Sequence, residues 1–137
     1  MKIIYDSKLM GYMSLFENLA DVKVKDVYLK EDLIVFVIEK GGMWKAIGKN
    51  GSQIKKIQDV LKKKIKVVEF DENVEKFVEN LLKPIEVEKV EFLEGIVEIR
   101  AKDMRTKGLL IGRESKNLKE MQDVLNRYFK IDVVKIL

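Results

Sequence analysis

The segments IGKNGSQIKKIQDVL (residues 47–61) and IGRESKNLKEMQDVL (residues 111–125) are two versions of one sequence, displaced by 64 residues. Seven of the fifteen aligned positions are identical, among them the Ile–Gly pair at the start and the Gln–Asp–Val–Leu run at the end. Chance gives about one or two matches in such an alignment, so the chain contains an internal duplication. Each element predicted in one copy can therefore be checked against the other.

Hydrophobic periodicity around the first segment predicts the order helix–strand–strand–helix–turn–helix–strand. The helix that follows the turn should place four apolar side chains inward, namely Ile54, Ile57, Val60 and Leu61. The expected elements are helices over 7–20, 43–47 and 52–63 and strands over 24–30, 32–39 and 65–70.

The second copy repeats this order. Its first helix should end before Pro84, because proline cannot continue a helix. The expected elements are helices over 72–82, 104–111 and 116–127 and strands over 85–93, 96–101 and 129–137. The boundary between the copies falls near Phe70–Asp71 without a flexible linker, which predicts two abutting domains, 1–70 and 71–137, of an α+β, two-layer fold.

Composition excludes several classes of function. The chain has no cysteine and no histidine, which rules out disulfides, a thiol nucleophile, zinc fingers and a His-based triad. No apolar run approaches the roughly 18 residues of a membrane span, and the start has no signal-peptide pattern. We expect a cytoplasmic protein with no membrane association, no metal and no cofactor.

Charge is segregated along the chain. Residues 40–66 hold nine lysines and one acid, residues 67–99 ten acids and three lysines, and residues 100–130 nine basic residues and four acids. Two basic blocks, one in each copy, are typical of a protein that contacts a polyanion twice. Solvated lysine-rich helix faces explain the charge alone equally well.

The turn Gly48–Lys49–Asn50–Gly51 lies between two predicted helices. Glycine at both ends allows a sharp bend and the close approach of another backbone. The helix that begins at Ser52 would point its positive dipole end at the turn, which favours an anion there. An isolated G-x-x-G is more often a helix C-cap followed by a turn, but its duplicated context favours a phosphate-backbone site. A P-loop does not fit, because Met43 stands where that motif requires its first glycine.

This loop between two helices, with strands before and after, resembles a KH domain, and the extra helix and strand before the core resemble the type II variant. Two modules in direct tandem resemble the KH pair of the NusA family of transcription factors, in its short archaeal form. The resemblance spans nearly the whole chain. It implies two tandem type II KH modules, each with a three-stranded mixed sheet covered by helices.

The resemblance also implies a function. A KH loop clamps about four nucleotides of single-stranded RNA backbone while the bases lie over a hydrophobic groove. That groove would be lined by Ile47, Ile54 and residues of the strand 65–68. The RNA-binding residues expected in the first copy are Lys45, Ile47, Gly48, Lys49, Asn50, Gly51, Ser52, Ile54, Lys55 and Lys56.

The family role implied is that of a non-enzymatic transcription termination, antitermination or elongation factor on nascent transcripts, with RNA polymerase as a further partner. Two alternatives remain open. One is a KH protein associated with ribosomes or rRNA, and the other is a protein-interaction adaptor built on degenerate KH folds.

The turn of the second copy, Gly112–Arg113–Glu114–Ser115, departs from the motif. Ser115 replaces the closing glycine, and Glu114 places a negative charge beside the expected phosphate. Ser115 is a candidate N-cap of the following helix. The RNA-binding residues expected in this copy are Arg105, Lys107, Gly112, Arg113, Ser115, Lys116 and Lys119. We expect this copy to contribute general electrostatic attraction while the first copy holds the better clamp.

Two further features have bland interpretations. Trp44 could stack on a base, but its helical spacing from Ile47 favours packing. The glutamates of residues 85–94 should face solvent without partners that would shift a pKa, which argues against general-base catalysis.

Overall fold

The computed structural model describes residues 7–137, which form two compact units. The first unit comprises the described residues 7–71 and the second unit residues 72–137. Each unit is a two-layer α+β structure with one three-stranded sheet.

The first unit follows the predicted order of elements. Its elements are α1 (Ser7–Ala20), β1 (Val24–Lys30), β2 (Leu33–Ile38), α2 (Met43–Ile47), α3 (Ser52–Leu61) and β3 (Lys64–Glu69). A short 3₁₀ turn, Lys49–Gly51, connects α2 to α3. In the sheet β2 is central, pairing antiparallel with β1 and parallel with β3, so the sheet is mixed as expected.

The core of the first unit lies between this sheet and the helices. Phe16 of α1 stacks on Phe36 of β2 with ring centroids 4.3 Å apart, and both side chains are fully buried. Strand β2 has the sequence Leu–Ile–Val–Phe–Val–Ile and is buried almost throughout, as its position at the centre of the sheet requires. This rigid layer positions α2, the turn and α3.

The second unit repeats the arrangement. Its elements are α4 (Val74–Leu82), β4 (Lys89–Leu93), β5 (Ile96–Arg100), α5 (Met104–Ile111), α6 (Lys116–Leu125) and β6 (Val133–Ile136). Strand β5 is central, antiparallel to β4 and parallel to β6. Phe77 of α4 is fully buried and packs edge-on against Tyr128, with ring centroids 5.6 Å apart.

Side chains fix the starts of two helices in the second unit. The Asn73 side-chain oxygen accepts a hydrogen bond from the Lys76 N–H at 2.9 Å, and a carboxylate oxygen of Asp103 accepts one from the Thr106 N–H at 2.7 Å. Both residues satisfy an N–H group that a helix start leaves without an intrahelical partner. The Asn73 cap accounts for α4 beginning at Val74 and not at residue 72, and the Asp103 cap accounts for α5 beginning at Met104.

Four strands are shorter than predicted, β2 and β5 by one or two residues and β4 and β6 by four and five. Strand β4 begins at Lys89 and not at residue 85, because its partner β5 ends at Arg100, opposite Lys89. Strand β6 begins at Val133 and not at residue 129, since Phe129 still donates its N–H to the Leu125 carbonyl at 2.9 Å. Helix α6 correspondingly ends at Leu125 and not at residue 127.

One predicted core residue is exposed. Val60 retains 50% of its surface, although Ile57 and Leu61 of the same helix are buried. Its counterpart Val124 in the second unit is 2% exposed. The same residue at the same place in the repeat therefore lies in two different environments.

Candidate nucleic-acid interface

The turn at 48–51 is a tight reversal between two helices. Gly48 ends α2, and its N–H donates to the Trp44 carbonyl at 2.9 Å. The Gly51 N–H then donates to the Gly48 carbonyl at 3.2 Å. Gly48, Asn50 and Gly51 all have positive φ, at 74°, 54° and 75°. Glycine and asparagine are the residues that adopt this conformation at least cost, so the local sequence favours the bend.

The two glycines serve different purposes. A Cβ on Gly48 would stand 2.8 Å from both the Cβ and the backbone nitrogen of Gln53, so only glycine fits there. A Cβ on Gly51 would meet no protein atom within 4 Å. Gly48 is therefore required by packing inside the protein, whereas Gly51 leaves open space on the outside of the turn.

Helix α3 begins immediately after the turn with ten residues, and no side chain caps its start. The first N–H groups of a helix and its dipole create a positive potential at that end. Lys49, Lys55 and Lys56 are all exposed around it. The arrangement is one that favours an anion approaching the outside of the turn.

Lys45, on α2, is the remaining predicted lysine of this site. Its Nζ lies 3.7 Å from a carboxylate oxygen of Asp21, whose side chain is 95% exposed. Such an exposed pair contributes little to stability, so Lys45 remains available to a stronger anion.

An open depression of about 780 Å³ lies beside the turn. Trp44 forms part of its wall with 74% of its surface exposed, so the prediction that Trp44 packs in the core is wrong. Helix α2 has only five residues and buries Ala46 instead, which leaves Trp44 on the outer side. The lining residues are Ala20, Asp21, Trp44, Lys45, Ile47, Gly48, Lys49, Ser52 and Gln53.

The expected hydrophobic groove is only partly available. Ile47 lines the depression, and Ile54 is half-buried against the core of the first unit. In β3, Ile65 and Val68 belong to the core, at 8% and 1% exposure, and cannot receive a base. The strand residues 66 and 67 are half-buried and keep some accessible surface.

Lys66 of β3 has a lowered pKa. Desolvation by partial burial is the main cause, and the positive charge of Lys30 adds to it. Both effects disfavour the protonated form of the side chain.

The turn of the second unit has the same backbone. Gly112, Glu114 and Ser115 have φ values of 76°, 56° and 61°, close to those of Gly48, Asn50 and Gly51. A Cβ on Gly112 would stand 2.9 Å from the backbone nitrogen of Asn117, the counterpart of Gln53. The substitutions in this copy therefore leave the shape of the turn unchanged and alter only its side chains.

Those side chains make the second turn a different surface. Ser115 occupies the position before α6 but makes no capping hydrogen bond, so it does not act as the N-cap that its residue type predicts. Glu114 and Arg113 are both exposed. The basic residues predicted around this turn are exposed or half-buried, namely Arg105, Lys107, Lys116 and Lys119.

The acidic segment also differs from expectation in one detail. Glu86 is exposed, but it has a partner, because the Lys102 Nζ donates a hydrogen bond to its carboxylate at 2.8 Å. That hydrogen bond and the lysine charge lower the pKa of Glu86, which makes it a weaker base. Within residues 7–137 no group of three or more acidic side chains is placed to hold a metal ion.

The same described residues contain no helix that is long and apolar enough to cross a membrane.

A mixed three-stranded sheet with a glycine-bounded turn between two helices defines a class of nucleic-acid-binding module. The family model described as "KH domain" matches residues 11–91, more than half of the chain. The archaeal relatives below extend this similarity over nearly all of the sequence. The chain belongs to the KH domain family and is a NusA-like member of it.

The relatives of this chain include proteins named "Probable transcription termination protein NusA". The protein of Methanococcus vannielii is 30% identical over 140 residues, which cover 100% of this chain and 81% of that one. The protein of Thermoplasma acidophilum is 25% identical over 141 residues, which cover 98% of this chain and 96% of its own length. The crystal structure of APE1850 aligns with a TM-score of 0.71 and 29% identity, covering 97% of this chain and 100% of that one.

Proposed function

We propose that the two units are tandem type II KH modules with domain limits at 1–70 and 71–137. Each unit begins with a helix and a strand. The central strand, two helices joined by the turn and the last strand follow, and the central strand is parallel to the last one. This order supports the type II assignment. The equal backbone of the two turns supports a duplication of one module.

The proposed function is the binding of single-stranded RNA. The observation that carries it is the turn 48–51, which leaves open space outside Gly51 at the start of α3 and has exposed lysines around it. A backbone phosphate can approach such a turn without meeting a Cβ, and KH loops hold about four nucleotides in this way. The side chains proposed to contact RNA here are Lys45, Ile47, Lys49, Asn50, Ser52, Ile54, Lys55 and Lys56.

The second module contributes a weaker contact in this proposal. Its turn keeps the bend, but Glu114 repels a phosphate and Ser115 places a side chain where Gly51 leaves space. Binding of one strand by both modules would still gain from the second contact, because that contact is effectively intramolecular. The residues proposed to supply it are Arg105, Lys107, Gly112, Arg113, Ser115, Lys116 and Lys119.

The biological role proposed is that of a non-enzymatic transcription termination, antitermination or elongation factor. The relatives named as transcription termination proteins support it, since they align over nearly the whole chain. The RNA bound would then be the nascent transcript, and RNA polymerase would be a partner. Co-purification with polymerase supports this role, whereas co-purification with ribosomal particles supports rRNA as the ligand.

Salt-dependent RNA binding by paired variants tests the proposal. Lys49→Asp with Asn50→Asp should abolish most binding, whereas Arg113→Asp with Glu114→Asp should weaken it less. For the parent protein, a plot of log affinity against log salt concentration should have a slope near −4. This value assumes that roughly six phosphates are neutralised, each contributing about −0.7. A slope near −1 contradicts the proposal of RNA binding. An equal loss of affinity from the substitutions at 113 and 114 contradicts the asymmetry between the two modules.

A second candidate function concerns the second unit alone. Met104 and Leu109 of α5 are 80% and 53% exposed, and in this second proposal at least one of them supplies apolar contact to a protein partner. Replacing both by serine should reduce co-purification with polymerase while leaving RNA affinity unchanged. An adaptor without RNA binding would lose its partner in the same variant and show no salt-dependent RNA binding in the parent protein.

A further inference from the structure

Trp44 is the only tryptophan of the chain and is largely exposed, at 74% of its surface. An indole ring is a large apolar body, and leaving it in water forfeits the free energy of its burial. Its backbone is fixed, because the Trp44 carbonyl accepts the hydrogen bond from the Gly48 N–H that ends α2. The backbone of Trp44 is therefore held next to the proposed phosphate-binding turn by this hydrogen bond.

The depression that Trp44 borders continues to that turn. Ala20 and Ile47 contribute apolar surface to it, and Gly48 and Lys49 of the turn line it as well. Its volume of about 780 Å³ falls in the range of small-ligand sites, roughly 300–1,000 Å³. The depression thus extends from the indole to the first two residues of the turn.

The depression also offers a hydrogen-bond acceptor to a neutral ring. Asp21 lines it with an exposed carboxylate, 3.7 Å from the Lys45 Nζ. That carboxylate repels a phosphate but tolerates a neutral ring, whose amino groups it can accept hydrogen bonds from. Lys49 keeps the anion at the turn.

Gln53 also lines the depression. Its Nε2 donates a hydrogen bond to the Leu19 carbonyl at the end of α1, and its Cβ lies under Gly48. This side chain connects the start of α3 to α1, so this part of the lining is preformed.

We propose that Trp44 is a stacking platform for one nucleobase of the strand held by the turn 48–51, an inference that rests on the proposed function. The base lies on the exposed indole face while the adjoining phosphate occupies the turn. The counterpart of Trp44 in the second unit is Gly108, so the platform exists in the first unit alone. Stacking tolerates any base, because every base has a π-face.

Three substitutions separate stacking from simple apolar contact. Trp44→Ala should weaken the binding of random-sequence single-stranded RNA of about 12 nucleotides by about 5- to 150-fold, the effect of losing one aromatic–base stack. Trp44→Phe keeps a flat ring and should lose less than Trp44→Leu, which keeps apolar surface without a π-face. Because the side chain is exposed, all three variants should keep the far-ultraviolet circular dichroism of the parent protein.

Tryptophan fluorescence of the parent protein gives an independent readout. RNA should quench the emission of Trp44, and Lys49→Asp with Asn50→Asp should abolish the quenching together with binding. An abasic position at the stacked nucleotide should weaken the parent protein and leave Trp44→Ala unaffected.

The outcomes distinguish the two proposals. If Lys49→Asp with Asn50→Asp abolishes RNA binding but Trp44→Ala does not change it, the stacking platform is wrong and RNA binding stands. Trp44 would then be a surface for a protein. If the parent protein does not bind RNA, the proposed function fails and the platform fails with it. Equal losses in Trp44→Phe and Trp44→Leu would also overturn stacking.

Discussion

Gly48 lies directly against Gln53, with room for no side chain between them: a Cβ on Gly48 would stand 2.8 Å from the Gln53 Cβ and its backbone nitrogen. The repeat reproduces this pair as Gly112 and Asn117, where a Cβ would stand 2.9 Å from the Asn117 nitrogen. In both units the amide side chain also reaches a backbone carbonyl, that of Leu19 in one case and Leu109 in the other. The first glycine of each turn is thus part of the packing of its unit.

This pair predicts different consequences for the two glycines of the first turn. Gly48→Ala should destabilise the protein by about 2 kcal/mol or more, because it adds a steric conflict to a backbone conformation that costs about 1–3 kcal/mol for other residues. Gly51→Ala meets open space and should cost only the left-handed backbone, about 1 kcal/mol. Urea unfolding of both variants measures the difference.

Gly51→Ala should be the milder change for stability, but it should lower RNA affinity. Gly51→Ala places a methyl group on the outside of the turn, so it should lower RNA affinity in a protein that remains folded. A Gly51→Ala protein that is less stable than Gly48→Ala would contradict this assignment of roles.

A second prediction concerns Ser115, whose φ of 61° is left-handed. Ser115→Gly should stabilise the protein by roughly 0.5 kcal/mol, since relief of about 1–2 kcal/mol of strain exceeds the extra entropy glycine gives the unfolded chain. Asn50→Gly, at another left-handed position, is a control in the first turn and should change stability less, because asparagine tolerates this conformation. Thermal or urea unfolding decides, and a destabilised Ser115→Gly variant would count against the strain.

The Asp103 cap predicts a pH dependence. The Thr106 N–H that donates to its carboxylate is the main cause of its lowered pKa, with the Thr106 hydroxyl and nearby cations adding to it. Because the folded pKa lies below the ordinary value of 3.8, the carboxylate stabilises the protein above that value. This stability is lost as pH falls through the folded pKa.

Asp103→Asn keeps a capping oxygen that does not titrate. Its free energy of unfolding should therefore decline less than that of the parent protein when pH is lowered past 3.8. Carbon-detected NMR titration of the parent carboxyl gives the pKa directly. Identical acid sensitivity in the two proteins would exclude the charged cap as the cause.

Lys66 predicts the opposite dependence, at alkaline pH. Partial burial and Lys30 lower its pKa below 10.5, so the unfolded chain binds more protons than the folded one between the two values. The parent protein should gain stability as pH rises through this window. Lys66→Met should be more stable than the parent protein at neutral pH, because it lacks the charge. The gain in free energy of unfolding should be less than about 1 kcal/mol, because solvent still screens the charge.

Lys64→Met on the same strand is the control, since Lys64 is exposed. It removes the same charge without the burial and should leave the free energy of unfolding nearly unchanged. Equal effects of the two substitutions would assign the change to net charge.

The duplication made the order of elements predictable, since each pattern could be checked against a second copy. The limits of the strands were less predictable because they depend on partners distant in sequence. Strand β4 has no pairing partner before Lys89 apart from the Glu88 N–H, which reaches the Arg100 carbonyl at 2.9 Å. The alternating sequence pattern extends back to residue 85, but β4 cannot pair beyond the end of β5.

The surroundings of single side chains were the least predictable. The connection after α6 spans residues 126–132, against 62–63 after α3, and brings Tyr128 and Phe129 to Phe77. Val124 is 2% exposed and Val60 50% exposed, and the repeat alone cannot anticipate such differences between the copies. Trp44 was misassigned for a similar reason, because a five-residue helix buries a single side chain, Ala46.

Because the φ values at three positions of the two turns agree within about 15°, we expect the tetrapeptides 48–51 and 112–115 to be exchangeable. Transplanting one into the other's place changes what the loop offers to a ligand without rebuilding the scaffold beneath it. In a duplicated module of this kind, the four turn residues of one copy can change while the other copy keeps the original binding site.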